Sequence, residues 1–504
     1  MERRTLLQSL AGLAASSIAA PAFAVPARAD TFDAAAANQP LLQPFKGVTD
    51  ASGDRDGDAL LLRGRWPDEL RGRFHRNGPA LFERGGQRYH HWFDGDGMVQ
   101  QFRIDGGRIV HRGRLVRTAK LRAEQRAGRF LMPTFGTFID GTAPLTGPDS
   151  FNAANTNALE HGGRLLAMWE GGSAYGLDPA DLSTHGPITW GDGLQQLPFS
   201  AHPKVDAEGH LWNIGTQGDK LIAWHVDPLG RLVSAQLGEL PFRGGLVHDM
   251  AVTARHLVVP LPPVRLNFKR PEGDGPRRFA LEPGEPLRVL VMEKADITRR
   301  RVFELPAEMV FHVGNAHDTA DGGVVLSWVG APDTWFLDRG AVSLMAGKPE
   351  AAGTAVLRVA RFEMSTGRVQ MLQSQDGEAE FPRVHPQLVG REARHLLTAA
   401  AWPVHASRRG VPLLHGVQLL DTKTGRTRRF DYGEHAVAEE HVIVPKPGRS
   451  GELDAWLLGT SFDARRQATV LNLLDAAHIE DGPIAQAVLP YALPLGFHGN
   501  FQMT

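Results

Sequence analysis

Short apolar runs that end in a polar tetrad closed by glycine and arginine recur along this chain, and they restrict its fold more than any other feature. Examples are Trp224-His225-Val226-Asp227-Pro228-Leu229-Gly230-Arg231, Phe362-Glu363-Met364-Ser365-Thr366-Gly367-Arg368 and Leu420-Asp421-Thr422-Lys423-Thr424-Gly425-Arg426. In each, glycine supplies the positive φ of a tight turn, and the flanking runs read as the strands of a hairpin. With 56 glycines and 34 prolines among 504 residues, many short strands and few long helices are expected. A single hydrophobic core stops growing beyond roughly 250–300 residues, yet no Pro/Ser-rich or charged linker divides the chain. A β-propeller escapes that limit by repeating blades around an axis. Seven blades of ~45 residues use about 315 residues and leave roughly 160 for long loops that roof one face. The expected fold class is all-β, a seven-bladed propeller with those loops above an axial site.

The N-terminus reads Met1-Glu2-Arg3-Arg4-Thr5, followed by an alanine-rich apolar run over residues 9–24. Two adjacent arginines ahead of such a run read as a twin-arginine export signal addressed to the periplasm. The run is shorter than the ~20 residues a membrane span needs. Two cleavage sites fit, after Ala22-Phe23-Ala24 and after Ala27-Arg28-Ala29; the second leaves a polar Asp30 start and divides the chain into a signal at 1–29 and one propeller domain at 30–504. Lys and Arg number 55 against 56 Asp and Glu, so no basic field exists to attract nucleic acid. Cysteine is absent, so any metal must be held by histidine and carboxylate.

Four histidines sit in comparable settings, beside glycine or proline at the ends of short apolar runs. They are His202 in Ser200-Ala201-His202-Pro203, His248 in Gly245-Leu246-Val247-His248-Asp249, His312 in Val310-Phe311-His312-Val313-Gly314-Asn315, and His498 in Leu495-Gly496-Phe497-His498-Gly499-Asn500. The third segment reads as a strand that ends at histidine and breaks into a Gly-Asn turn. Spacings of 46, 64 and 186 residues are too wide for one helix or hairpin. Only a closed architecture brings all four to one axial ion. Neutral imidazoles suit Fe, Zn, Cu or Ni, and ligating histidines commonly donate their other N–H to a carboxylate. Glu170, Glu380 and Glu452 lie in apolar or tightly turned contexts where a solvated charge would be odd.

Eight motifs in order resemble the carotenoid cleavage oxygenase family from about residue 40 to the C-terminus: His75-Arg76-Asn77-Gly78-Pro79, His91-Trp92-Phe93-Asp94-Gly95-Asp96-Gly97-Met98, Asn155-Thr156-Asn157, Ala201-His202-Pro203-Lys204, Val247-His248-Asp249-Met250, Phe311-His312 with Asn315-Ala316, Glu380-Phe381-Pro382-Arg383, and Gly496-Phe497-His498-Gly499-Asn500-Phe501. The resemblance implies a seven-bladed propeller with Fe(2+) on His202, His248, His312 and His498. It also implies supporting glutamates matching Glu170, Glu380 and Glu452. A small side chain matching Thr156 crowds one open position, and aromatic tunnel residues match Trp169, Phe311 and Phe381. The sequence departs from the family pattern at His317-Asp318, where His317 is a competitor ligand set aside because it lies beyond the turn, and at Glu452-Leu453-Asp454-Ala455, which makes Glu452 the least secure match.

The implied reaction is cleavage of a C=C bond of a carotenoid or apocarotenoid by dioxygen into two carbonyl products. The partners are an apolar polyene and O2, and the protein is read as a monomer. Alternatives are cleavage of phenolic stilbenes or phenylpropenes, metal-assisted isomerisation or hydrolysis, and a non-catalytic binding propeller. Where stilbene-cleaving members place a lysine and a tyrosine, this chain has Trp169 and Leu115, surfaces that favour a polyene. Residues 260–286 form a Pro/Gly-rich excursion whose Leu261, Leu266 and Phe268 are candidates for peripheral membrane contact.

Overall fold

The computed structural model describes residues 27–50, 53–241, 245–267, 279–282, 284–350, 354–375, 377–402 and 413–504. The proposed signal over 1–29 and Phe268 therefore lie wholly or almost wholly outside the described residues.

The chain is built from antiparallel meanders. Among the described residues, five stand as separate four-stranded sheets, beginning at Asn157–His161, Lys204–Val205, Ala251–Val252, Met309–Asp318 and Glu378–Arg383. The three turn glycines behave as their sequences require: Gly230, Gly367 and Gly425 have φ of 77°, 84° and 72° and join adjacent strands of their sheets. A sixth sheet has nine strands. It runs Ala436–Pro445, Ala455–Asp463, Ala468–Asp475 and Pro483–Val488, then Arg55–Gly64, Arg108–Leu115, Asp96–Asp105, Gly72–Leu81 and His498–Met503. The expected seven blades are thus not seven separate sheets. Pro483–Val488 pairs with Arg55–Gly64, Leu60 opposite Val488, so what would be two outer strands are stitched into one sheet.

The last strand closes the ring. His498–Met503 pairs with Gly72–Leu81, setting His498 opposite Asn77 and Met503 opposite Gly72. The approach is close: a Cβ on Gly499 would lie 2.2 Å from the His75 carbonyl oxygen. Several hydrophobic cores, each between neighbouring sheets, replace one large core. Leu166, Met168 and Phe199 meet Trp224 and Ile222 in one, while Val289, Phe303, Trp328 and Phe362 meet in another. Strands buried on both faces, such as Leu287–Glu293, consequently read as apolar runs rather than alternating ones.

The roofing segments are partly helical. Helix Ala29–Asn38, the 3-10 turn Pro40–Lys46, the π-helical turn Phe336–Gly340 and helix Ala341–Met345 share a core with Trp92, against which Phe336 and Phe497 pack. Leu261 is fully buried in strand His256–Leu261, which removes it as a membrane-contacting residue. Leu266 is half-buried against Phe279 and Leu337.

Candidate metal centre

His202 and His248 lie just before the first strands of two sheets, His312 lies in the first strand of a third, and His498 begins the closing strand. Asparagine side chains fasten these inner strands to one another. Asn77 donates to Ala154 O at 2.8 Å, Asn157 to Ala201 O at 2.8 Å and Asn213 to Ser200 O at 2.8 Å. The segment around His312 differs from its sequence reading. Instead of breaking at Gly314-Asn315, strand Met309–Asp318 continues through two irregularities, at Val310/Val313 and Val313/Asn315. Such bulges re-aim a side chain without ending the strand. His317 lies further along it, opposite Val325, and is no part of the cluster.

The four ligand nitrogens converge. Nε2 of His202 lies 2.8 Å from that of His248, His248 3.4 Å from His312, and His312 3.0 Å from His498. All four residues are buried. Nitrogens around one ion with bonds of ~2.1 Å lie ~3.0–3.4 Å apart at right-angled or tetrahedral positions. The observed separations fit that spacing.

Carboxylates behind the rings set the tautomers. Glu380 Oε2 lies 2.5 Å from His312 Nδ1, Glu440 Oε1 lies 3.0 Å from His498 Nδ1, and Glu170 contacts His248 Nδ1 off hydrogen-bond geometry. With Nδ1–H turned to an acid, each Nε2 presents a lone pair inward. Converging lone pairs with no donor between them are repelled unless a cation sits among them. Burial holds the His202 imidazole far below its ordinary pKa, reinforced by the neighbouring histidines, and pulls His498 down to about 4 against the attraction of Glu440. Burial lowers His312 too, but the charge and hydrogen bond of Glu380 outweigh it and leave that ring raised. Burial raises the Glu440 carboxyl, and the Arg383 guanidinium and His498 overcome this to hold it well below the usual range. Glu170, Glu380, Glu440 and Asp249 against Lys204 and Arg383 leave a net charge of two minus around neutral imidazoles. A divalent cation balances that set.

Glu440 replaces Glu452 in the expected triad. Glu452 accepts from the His395 backbone N–H at 2.8 Å and faces His395 Nδ1 at 3.0 Å, in the loop between Pro445 and Ala455. Strand Ala436–Pro445 passes the centre at Glu439 and Glu440, so a residue beyond its end cannot reach His498. A register shift between Ala438 and His441 lets both glutamates point inward. Glu439 pairs with buried Arg76 and accepts from Gly496 N–H at 2.6 Å. The signal was available as two consecutive carboxylates inside the apolar run Ala436-Val437-Ala438-Glu439-Glu440-His441-Val442.

An apolar, aromatic cavity adjoins the histidines. Thr156, Trp169, Phe311 and Phe381 all line it. Phe311 stacks on His248 with centroids 3.8 Å apart, and Phe381 lies 5.3 Å from both His312 and His498. Phe381 holds φ of 57°, a left-handed conformation that strains an aromatic residue, while its N–H donates to Glu380 at 3.0 Å. Phe93, Phe135 and Phe497, with Trp92, Trp335 and Phe336, add to the aromatic wall, and none of them is among the tunnel residues expected from the sequence. A second cavity shares Phe93, Phe135, Trp169, Glu170 and Leu246 with the first. Leu115 lines neither; it is buried among Met98, Val48 and Leu121, so only Trp169 remains of the expected pair.

Comparison with known proteins gives a consistent picture. The family profile described as "Retinal pigment epithelial membrane protein" matches residues 52–503. The apocarotenoid-15,15'-oxygenase of Synechocystis is 30% identical, the match covering 88% of this chain and 92% of that protein. The lignostilbene-alpha,beta-dioxygenase isozyme III of Sphingomonas paucimobilis is 26% identical over 88% and 94%. A solved glutamate-to-glutamine variant of the Synechocystis apocarotenoid oxygenase superposes with a TM-score of 0.80 at 26% identity, covering 92% of this chain and 98% of that one.

Proposed function

The chain belongs to the retinal pigment epithelial membrane protein family, the carotenoid cleavage oxygenases, and on that premise we propose an Fe(2+)-dependent dioxygenase that splits a C=C bond of a carotenoid or apocarotenoid into two carbonyl products. The observation that carries this reading is the convergence of four buried imidazole lone pairs beside an aromatic cavity. Bound iron would supply the activation that triplet dioxygen needs before it can add to a spin-paired polyene.

The protein's part is positioning. His202, His248, His312 and His498 would hold the ion as neutral ligands beside the cavity. Phe311 and Phe381 flank two of the ligands and present ring faces to a flat conjugated chain. Trp169 stands against Phe151 at 5.2 Å and supplies an indole where a phenol-holding lysine would favour stilbenes. Thr156 lines the cavity next to the strand that closes the ring, its carbonyl accepting from His498 N–H at 3.2 Å. No proton transfer is required of a side chain: one C=C and one O–O bond break as two C=O bonds form.

Export to the periplasm by the twin-arginine route, action as a monomer and peripheral contact with a bilayer complete the proposal. Arg3-Arg4 and the following apolar run support the first, and Leu145, exposed beside the second cavity, supports the last. Incubation of iron-loaded protein with a panel of carotenoids, apocarotenals and 4-hydroxystilbenes, with mass spectrometry of the products, tests the substrate class. Paired aldehydes from an apocarotenal are expected, and faster turnover of a hydroxystilbene than of every polyene would overturn it.

A further inference from the structure

Among the described residues, three ligands have a glutamate behind them and His202 has none. The buried carboxylate nearest its Nδ1 is Asp249, whose Oδ2 lies 4.0 Å away. That oxygen also accepts the Val313 N–H at 2.8 Å, and the other accepts the Met250 N–H at 2.6 Å and pairs with Lys204 Nζ at 2.9 Å. One side chain thus touches the segments of three ligands: it follows His248 directly, binds the residue after His312, and is tied to Lys204, two residues past His202. We propose that Asp249 is the positioning carboxylate of His202, tuned by Lys204, and that this pair sets how strongly the centre holds a divalent ion. This rests on the metal reading of the site.

The physical case is electrostatic. At 4.0 Å the separation is too long for a hydrogen bond, so Asp249 acts on the neutral ring through the field of its charge. A buried negative charge on the Nδ1 side favours the tautomer with its proton there and leaves Nε2 free to ligate. Lys204 opposes it, since a cation 2.9 Å from the carboxylate withdraws part of that field. Removing one partner therefore has the opposite effect on a divalent ion from removing the other. A merely structural pair would weaken the site whichever partner was lost.

The test is Co(2+) affinity of metal-free protein, by chelator competition and the cobalt ligand-field spectrum, alongside the thermal midpoint of the metal-free form. Asp249→Asn is expected to lower affinity ~10–100-fold and to shift the spectrum. Lys204→Met, which leaves both backbone bonds of Asp249 intact, is expected to tighten binding several-fold. In a His202→Ala background, Asp249→Asn should add little, because its effect passes through the missing ring. Equal weakening in both variants, or full additivity with His202→Ala, overturns the proposal while leaving the metal reading standing. Failure of the wild-type protein to bind Co(2+) or Fe(2+) would strike the metal reading itself. Should Asp249→Asn not fold, Lys204→Met alone decides by its sign.

Discussion

His498 shows how much chemistry one residue draws from its surroundings: a strand partner fixes its backbone, Glu440 its tautomer and Phe381 its cavity side. Glu170→Gln, Glu380→Gln and Glu440→Gln are each expected to leave folded protein with iron affinity or turnover reduced ~10–100-fold. Glu452→Gln should keep iron content and turnover, because its partners are His395 and backbone amides; metal analysis of the four variants side by side checks this. The ligands were legible because each histidine carries its neighbours with it, His-Pro-Lys, His-Asp and Phe-His-Gly-Asn. Glu440 was not, because which of several acids backs a ligand depends on where a strand crosses the axis. Leu115 misled for a similar reason: alternation along strand Arg108–Leu115 decides which face it takes, and that face is core.

At the scale of elements, the site depends on how closely the terminal strands meet. Gly499→Ala places a methyl 2.2 Å from the His75 carbonyl and must push strand His498–Met503 off Gly72–Leu81. Overpacking of this kind costs about 1–3 kcal/mol, and here it also displaces a ligand. Lower stability in denaturant unfolding together with lower iron content is expected. Gly191→Ala, where the nearest atom to the new methyl is 3.6 Å away, should stay within about 0.5 kcal/mol of wild type. Hairpin strands were readable from their turn chemistry, as Gly230, Gly367 and Gly425 confirm. The pairing of the last strand with Gly72–Leu81 was not, since more than four hundred residues separate partners that no local pattern links. The two bulges near His312 were hidden too, because Gly314-Asn315 fits a turn as well as a distorted strand.

For the whole molecule, stability divides among cores between sheets, and buried neutral histidines tie those cores to pH. Burial, aided by Arg73, pulls His75 down to about 3; burial, aided by Arg76, pulls His111 down to about 3; and burial pulls His441 down to about 4. Unfolded histidine titrates near 6.5, so below that pH the unfolded chain takes up protons that the folded chain refuses. Stability is then full above about pH 6.5 and falls toward pH 4, by up to about 1.4 kcal/mol per pH unit for each histidine. His312, raised by Glu380, works in the opposite sense. Unfolding of metal-free protein at pH 7.5, 5.5 and 4.5 should show the steep net loss. On the proposed function, closing the ring of sheets creates one iron site that performs the reaction. Titration of metal-free protein with Fe(2+), following cleavage of an apocarotenal, tests it most directly. Activity is predicted to rise linearly to one iron per chain and stop there, with zinc-loaded protein inactive. Full turnover with zinc, or cleavage without any metal, would contradict it.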